Sequence, residues 1–204
     1  YKRQQFYPPE LNIGPLYNTF AANPDAGNLR VYLLGGSAAM GFPHRNHGLD
    51  RLLATRLKVG LPNKQIEVIN TAMTAVNSHV IYEVAKSIPE SPGQFAVILL
   101  GNNEVVGPYG PGTLNQTALS SMTSIRMVQA MKRTRIWQLI AGAVARLSAP
   151  QAREALEWQG MSMFTEQLVQ RDDPRLQAVY DHFETNLIDT IGLFRSKGIH
   201  VLLA

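Results

Sequence analysis

With 204 residues, 45% of them hydrophobic, the chain is long enough to bury a sizeable core and is most simply one domain. Charged residues make up only 17%, which excludes a disordered or highly solvated helical array, and the lack of cysteine excludes a disulfide framework, a thiolate metal site and a cysteine nucleophile. The net charge of +4 comes from scattered Lys and Arg. Only Arg126, Lys132, Arg133 and Arg135 cluster, in one predicted helix, where a solvated face is expected and a nucleic-acid or membrane patch lacks interleaved aromatics.

Residues 1–29 carry Pro8, Pro9, Gly14, Pro15, Pro24 and Gly27 with little periodicity, an extended lead-in to a domain over 30–204. Val31 to Leu34 is an apolar, β-prone run too short for a buried helix and is predicted to be a central strand. Gly35 and Gly36 then allow a tight turn, since glycine reaches dihedrals that other residues avoid. Ser37 at this strand-to-helix turn sits where strand ends and helix amides meet, a place for a nucleophile or an anion. Gly36 to Gly41 has the G-x-x-x-x-G spacing of a phosphate loop, but Phe42-Pro43 stands where Lys-Ser or Lys-Thr is needed. On this stretch alone, an ordinary βα turn with an incidental serine is an equal alternative.

Leu49, Leu52, Leu53 and Leu57 recur at helical spacing and predict a helix over 48–59. Residues 65–70 form a second predicted strand, 71–78 a loop of small and polar residues, and 77–87 a helix stopped by Pro89 and Pro92. The third strand, 95–100, is almost wholly apolar and is expected to be buried on both faces. Gly101-Asn102-Asn103-Glu104 follows, then a turn-rich loop from Gly107 to Gly112. A helical insertion is predicted over about 113–170: helices over 118–147, where Ile125, Val128, Met131, Ile136, Leu139, Ile140 and Val144 recur, and a weaker helical region around Trp158, Met161, Met163 and Phe164, read as core. A helix over 174–196 starts at Pro174, and a fourth strand begins at Ile199.

Strands alternating with helices imply a parallel α/β sheet with right-handed crossovers. In such sheets sites form at the carboxyl ends of the strands. Gly36-Ser37, Thr74-Ala75 and Gly101-Asn102-Asn103 each follow a predicted strand, so they converge on one edge. Acyl transfer needs a nucleophile and hydrogen-bond donors aimed at the developing oxyanion. Ser37 supplies a hydroxyl and an N–H, a small residue after the second strand supplies another N–H, and Asn103 supplies a neutral amide.

Gly35-Gly36-Ser37, Asn70 to Ser78 and Gly101-Asn102-Asn103-Glu104, in this order, resemble the first three sequence blocks of the SGNH/GDSL hydrolase superfamily. The run from Gly101 to Gly112 is similar to a bacterial subgroup often fused to tetratricopeptide repeats. The resemblance covers residues 30–204. It implies a flavodoxin-like, three-layer, doubly wound parallel sheet, with Ser37 as the nucleophile of an esterase. Ser37 N–H, Ala75 N–H and the Asn103 side chain would hold the oxyanion. It implies no metal or cofactor, a small-molecule or glycan ester as substrate, no nucleic acid, and a covalently linked repeat domain as a neighbour. An O-acyltransferase using the same residues, or a non-catalytic module binding glycans or proteins, are the alternatives.

Three departures mark this chain. Ala75 stands where the family places glycine, at a cost of about 1–2 kcal/mol if the position needs positive φ. Glu104 replaces an aspartate, in a role expected to be structural. The fourth block, D-x-x-H, is absent. Of the histidines, Pro43 directs the chain of His44 and His47 away from Ser37, His79 opens a helix as a surface or capping residue, His182 is mid-helix and His200 is in a strand. The expectation is therefore that the base, and a fifth strand, belong to a longer chain beyond Ala204, and that residues 1–204 alone lack turnover.

Overall fold

The computed structural model describes residues 20, 27–44, 46, 48–113, 121–137, 139–140, 143 and 169–204. Most of the lead-in, His47, much of the helical insertion and the region around Trp158 and Phe164 lie outside the described residues.

Four strands, β1 (Leu29–Gly35), β2 (Ile66–Asn70), β3 (Phe95–Leu99) and β4 (His200–Leu203), form one parallel sheet in the order β2-β1-β3-β4. This is the flavodoxin-like arrangement expected from the sequence. Successive crossovers leave β1 in opposite directions, so the topological switch lies between β1 and β3. The register sets Gly35 beside Leu99, placing the segments that follow them side by side.

Alternation along the strands divides the core into two layers. Tyr32, Leu34, Ala96 and Ile98 face α3 (Ser78–Ser87) and α5 (Arg175–Ser196), joined by Val80, Ile81, Val84 and Phe194. Leu33, Val97 and Leu99 face the other way, toward α1 (Ser37–Met40) and α2 (Leu49–Gly60). The second layer is thinner. No residue of α2 is buried, Leu52 and Val59 are exposed, and the helix packs against β2 rather than β3. Burial of β3 on both faces is therefore corrected: Ala96 and Ile98 are buried, while Phe95, Val97 and Leu99 are only partly covered.

α4 (Met122–Lys132) lies in the predicted insertion, with the Ser121 side chain accepting from the Ser124 amide at its N-terminus. Its periodicity marks a helix, but only one edge reaches the core. Ile125 is buried, whereas Met131, Ile136, Leu139 and Ile140 are exposed. The solvated basic face is borne out at Arg133 and Arg135, which are exposed, and corrected at Arg126. Arg126 pairs with Asp189 at 2.5 Å and lies 4.6 Å over the Tyr82 ring, and Arg133 reaches the buried Glu83 at 3.2 Å. α4 presents this flank to acids on α3 and α5, and Arg135 stays exposed.

The C-terminus of α3 is closed from a distance. The Lys197 ammonium donates to the carbonyls of Ala85 (2.8 Å), Lys86 (3.2 Å) and Ile88. A cation is favoured at this end of the helix by the unpaired carbonyls and the macrodipole. Lys197→Met should lower stability by about 1–2 kcal/mol, read as a lower urea midpoint at unchanged m-value. No change in midpoint would show that water satisfies those carbonyls equally well.

Candidate functional site

The end of β1 is crowded by other backbone, and this crowding sets the residues there. A Cβ on Gly35 would stand 2.4 Å from the Leu99 carbonyl oxygen and 2.6 Å from Ala39 Cβ. One on Gly36 would stand 2.8 Å from Asn103 Nδ2. Gly36 has extended dihedrals, φ −85° and ψ −158°, open to most residues. The turn therefore needs glycine here for space, which corrects the expectation that unusual dihedrals are the reason.

Ser37 opens α1, a single turn that the sequence reading missed because it is only four residues long. Its carbonyl accepts from the amides of Gly41 (3.1 Å) and Phe42 (3.0 Å), which fixes the turn. The side chain is half-buried, and among the described residues its hydroxyl has no hydrogen-bond partner.

Beside it stands Asn103, buried in the loop after β3. Its Nδ2 donates to the Val76 carbonyl at 3.2 Å, leaving a second N–H on the nitrogen packed against Gly36. The Val76 bond orients the amide, because a carbonyl can only accept. Ala75 lies in the turn after β2 with φ 54°, so the positive φ expected of the family's glycine is carried here by alanine. The turn is held close to β1 by the Thr71 amide donating to Leu33 O (2.8 Å) and the Met73 amide donating to Gly35 O (3.1 Å).

The two loops are cross-braced. Asn77 Nδ2 donates to the Pro108 carbonyl at 2.9 Å. The Glu104 carboxylate accepts from the Ser78 amide at 3.0 Å and from its hydroxyl at 2.7 Å. Burial pushes the Glu104 carboxyl above its ordinary value, against the Ser78 bonds that lower it. Glu104 thus has the structural contacts expected of it.

His79 is the clearest correction. It is 4% exposed, not a surface or capping residue. Its ring packs edge-on against Tyr109 at 5.5 Å and His182 at 5.3 Å, and Nδ1 pairs with Asn186 Nδ2 at 3.1 Å. Burial, with His182 and Arg126 nearby, lowers its pKa to about 3, so the ring is neutral. His182 is lowered too, chiefly by burial. His44 is exposed. His200 pairs with Phe95 at the amino end of the sheet, four residues (about 13 Å) back along the strands from the Gly35–Leu99 pair.

Two other polar or concave features lie away from this edge. Arg30, 1% exposed at the amino end of β1, pairs with Glu67 at 2.6 Å and lies 5.2 Å over the Phe20 ring, so this cation braces the sheet. A groove of about 580 Å³ on the α2 side is lined by Leu53, Leu57, Val97 and Leu202 and by loops at the amino end. It gathers no catalytic side chains.

The Asn186 link to His79 and Ser78 and the exchange between Ser78 and Glu104 escape sequence reasoning. They join residues far apart in the chain through no local motif. The G-x-N-E run was the available signal for Glu104 alone.

No family model and no curated protein sequence matches the chain. Solved structures similar to it include AlinE4, an SGNH-hydrolase family esterase, at 14% identity over 86% of this chain and 75% of that one, with a TM-score of 0.34. TesA is similar at 15% identity over 85% of this chain, with a TM-score of 0.41. A point mutant of the esterase AlinE4 matches at 19% identity over 38% of this chain, with a TM-score of 0.33. The chain spans 58% of the length of TesA and 42% of that of the AlinE4 mutant. At these identities and TM-scores the likeness assigns no activity; what the site can do follows from its own geometry. In its three motifs, and among solved structures, the chain is similar to SGNH hydrolases.

Proposed function

We propose that the chain carries a serine-dependent acyl hydrolase site that cleaves an ester through an acyl-enzyme on Ser37. The observation behind this reading is the half-buried Ser37 hydroxyl at the β1–β3 switch, without a hydrogen-bond partner among the described residues, with the Asn103 amide packed on Gly36 beside it. Ser37 Oγ attacks the ester carbonyl and gives its proton to a base. The carbonyl oxygen becomes an oxyanion held by Ser37 N–H, Ala75 N–H and Asn103 Nδ2–H. Collapse breaks the bond to the alkoxide, which leaves with the proton from the base. Water, deprotonated by the same base, then attacks the acyl-enzyme and frees the acid and Ser37. The base is assigned outside the described contacts of Ser37, with a histidine as the expected side chain.

The nucleophile is tested directly. A fluorophosphonate probe should label the protein at Ser37, with the modified peptide identified by mass spectrometry, and Ser37→Ala should abolish the labelling. Labelling that survives the substitution would overturn the assignment.

A further inference from the structure

The loops after β2 and β3 would each have to present a donor to the same point, yet neither belongs to a regular element over the residues concerned. Three side chains tie them together: Asn103 to the Val76 carbonyl, Asn77 to the Pro108 carbonyl, and Glu104 to Ser78. The first two are single bonds between neutral groups. The third is a carboxylate receiving both donors of one residue, and charge-assisted bonds are roughly twice as strong as neutral ones.

The local chemistry explains why a carboxylate is needed there. Asn77 is the N-cap residue of α3, but its side chain makes no capping bond because its amide is turned toward Pro108. The first amides of α3 are left wanting an acceptor, and the positive end of the helix favours an anion. Glu104 arrives from the other loop to fill that place, with Oε1 at 3.0 Å and Oε2 at 3.3 Å from the Ser78 nitrogen. The Ser78 hydroxyl accepts from Asn186 Nδ2 at 3.1 Å, so its own proton is directed at Glu104 Oε2. Both groups of Ser78 therefore donate. Two acceptor oxygens meet that demand, and an amide would set an NH₂ against one of the donors. Glu104 follows Asn103 directly, and Ser78 is three residues from Ala75.

We propose that Glu104 is a positioning residue, the strut that holds the loop after β3 and the turn after β2 at the spacing at which Asn103 and Ala75 serve one oxyanion. This rests on the reading of those two residues as oxyanion donors. A displacement of about 1 Å in such a site costs on the order of 100-fold in rate. Glu104→Gln, Glu104→Asp and Ser78→Ala are compared with the wild-type protein by amide NMR and, in protein expressed from the whole reading frame, by turnover of a short-chain p-nitrophenyl ester. Glu104→Gln should shift the Asn103 side-chain amide and Ala75 amide signals while those of β4 stay in place. It should lower kcat about 10- to 100-fold with KM within about twofold. Glu104→Asp, which keeps the carboxylate, should recover most of that loss, and Ser78→Ala, which removes the hydroxyl that donates to Glu104 and accepts from Asn186 but keeps the amide donor, should give a smaller shift in the same signals. Shifts confined to Ser78 and its α3 neighbours, or unchanged kcat in a turning-over enzyme, would overturn the strut. The signals report on Glu104 without turnover, so a failure of the hydrolase reading at Ser37 stays distinct from a failure here. Should Glu104→Gln not fold, the Ser78→Ala spectrum decides the matter by the same signals.

Discussion

Asn103→Ala should lower kcat by about 100- to 1,000-fold and leave KM nearly unchanged, the loss found when one oxyanion donor is removed. The reason is the division of labour within one amide. One N–H of Asn103 Nδ2 is spent on the Val76 carbonyl at 3.2 Å, which orients the group. On the proposed reading, the other is left for charge that develops only in the transition state. Because Asn103 is buried and already oriented, it needs no reorganisation when that charge appears. Gly36→Ala offers an independent route to the same defect, since its Cβ would stand 2.8 Å from Nδ2 and displace the donor without altering it chemically. Steady-state kinetics of both variants on a p-nitrophenyl ester, in protein expressed from the whole reading frame, settle the matter. A rise in KM at constant kcat would mean that Asn103 only binds substrate.

Acid should destabilise the fold through His79. A histidine with its pKa lowered from 6.5 to about 3 is neutral in the folded chain but takes a proton when unfolded below about pH 6.5. Unfolding then binds a proton that the folded state refuses, so stability rises with pH across this window. The stability that His79 contributes is fully present above pH 6.5 and is lost as pH falls toward 3. The slope is about 1 kcal/mol per pH unit, accumulating to on the order of 3–5 kcal/mol. Protonation would set a positive ring beside Arg126 and His182 and against Tyr109, in a place where Asn186 already donates to Nδ1. Urea unfolding of the wild-type protein and His79→Gln from pH 7 to pH 4 checks this. The variant is less stable at pH 7, but its stability should fall less steeply with acid. Parallel slopes would show that groups other than His79 govern acid unfolding.

Much of the fold was legible because its signals are local. Short continuous apolar runs and helical spacing place β1 to β4, α3 and α5 within a residue or two, each readable from its own segment. Right-handed crossovers then bring the ends of β1, β2 and β3, and with them Ser37, Ala75 and Asn103, to one edge without any side-chain detail. The sequence by itself therefore determined the sheet, the edge and the residue types gathered there. What needed the tertiary structure depends on groups distant in the chain. Gly36 is required because Asn103 packs on it, not for its dihedrals. His79 is buried because Tyr109 from the loop after β3 and His182 from α5 close over it. Arg126 and Arg133 face acids that only the packing of α4 across α3 and α5 supplies. Glu104 meets Ser78 26 residues away, and Asn186 reaches the same hydroxyl across 108. Helical and strand periodicity records which face of a segment is apolar; it holds no record of which polar group from another segment will meet it, and the tertiary structure alone decided that.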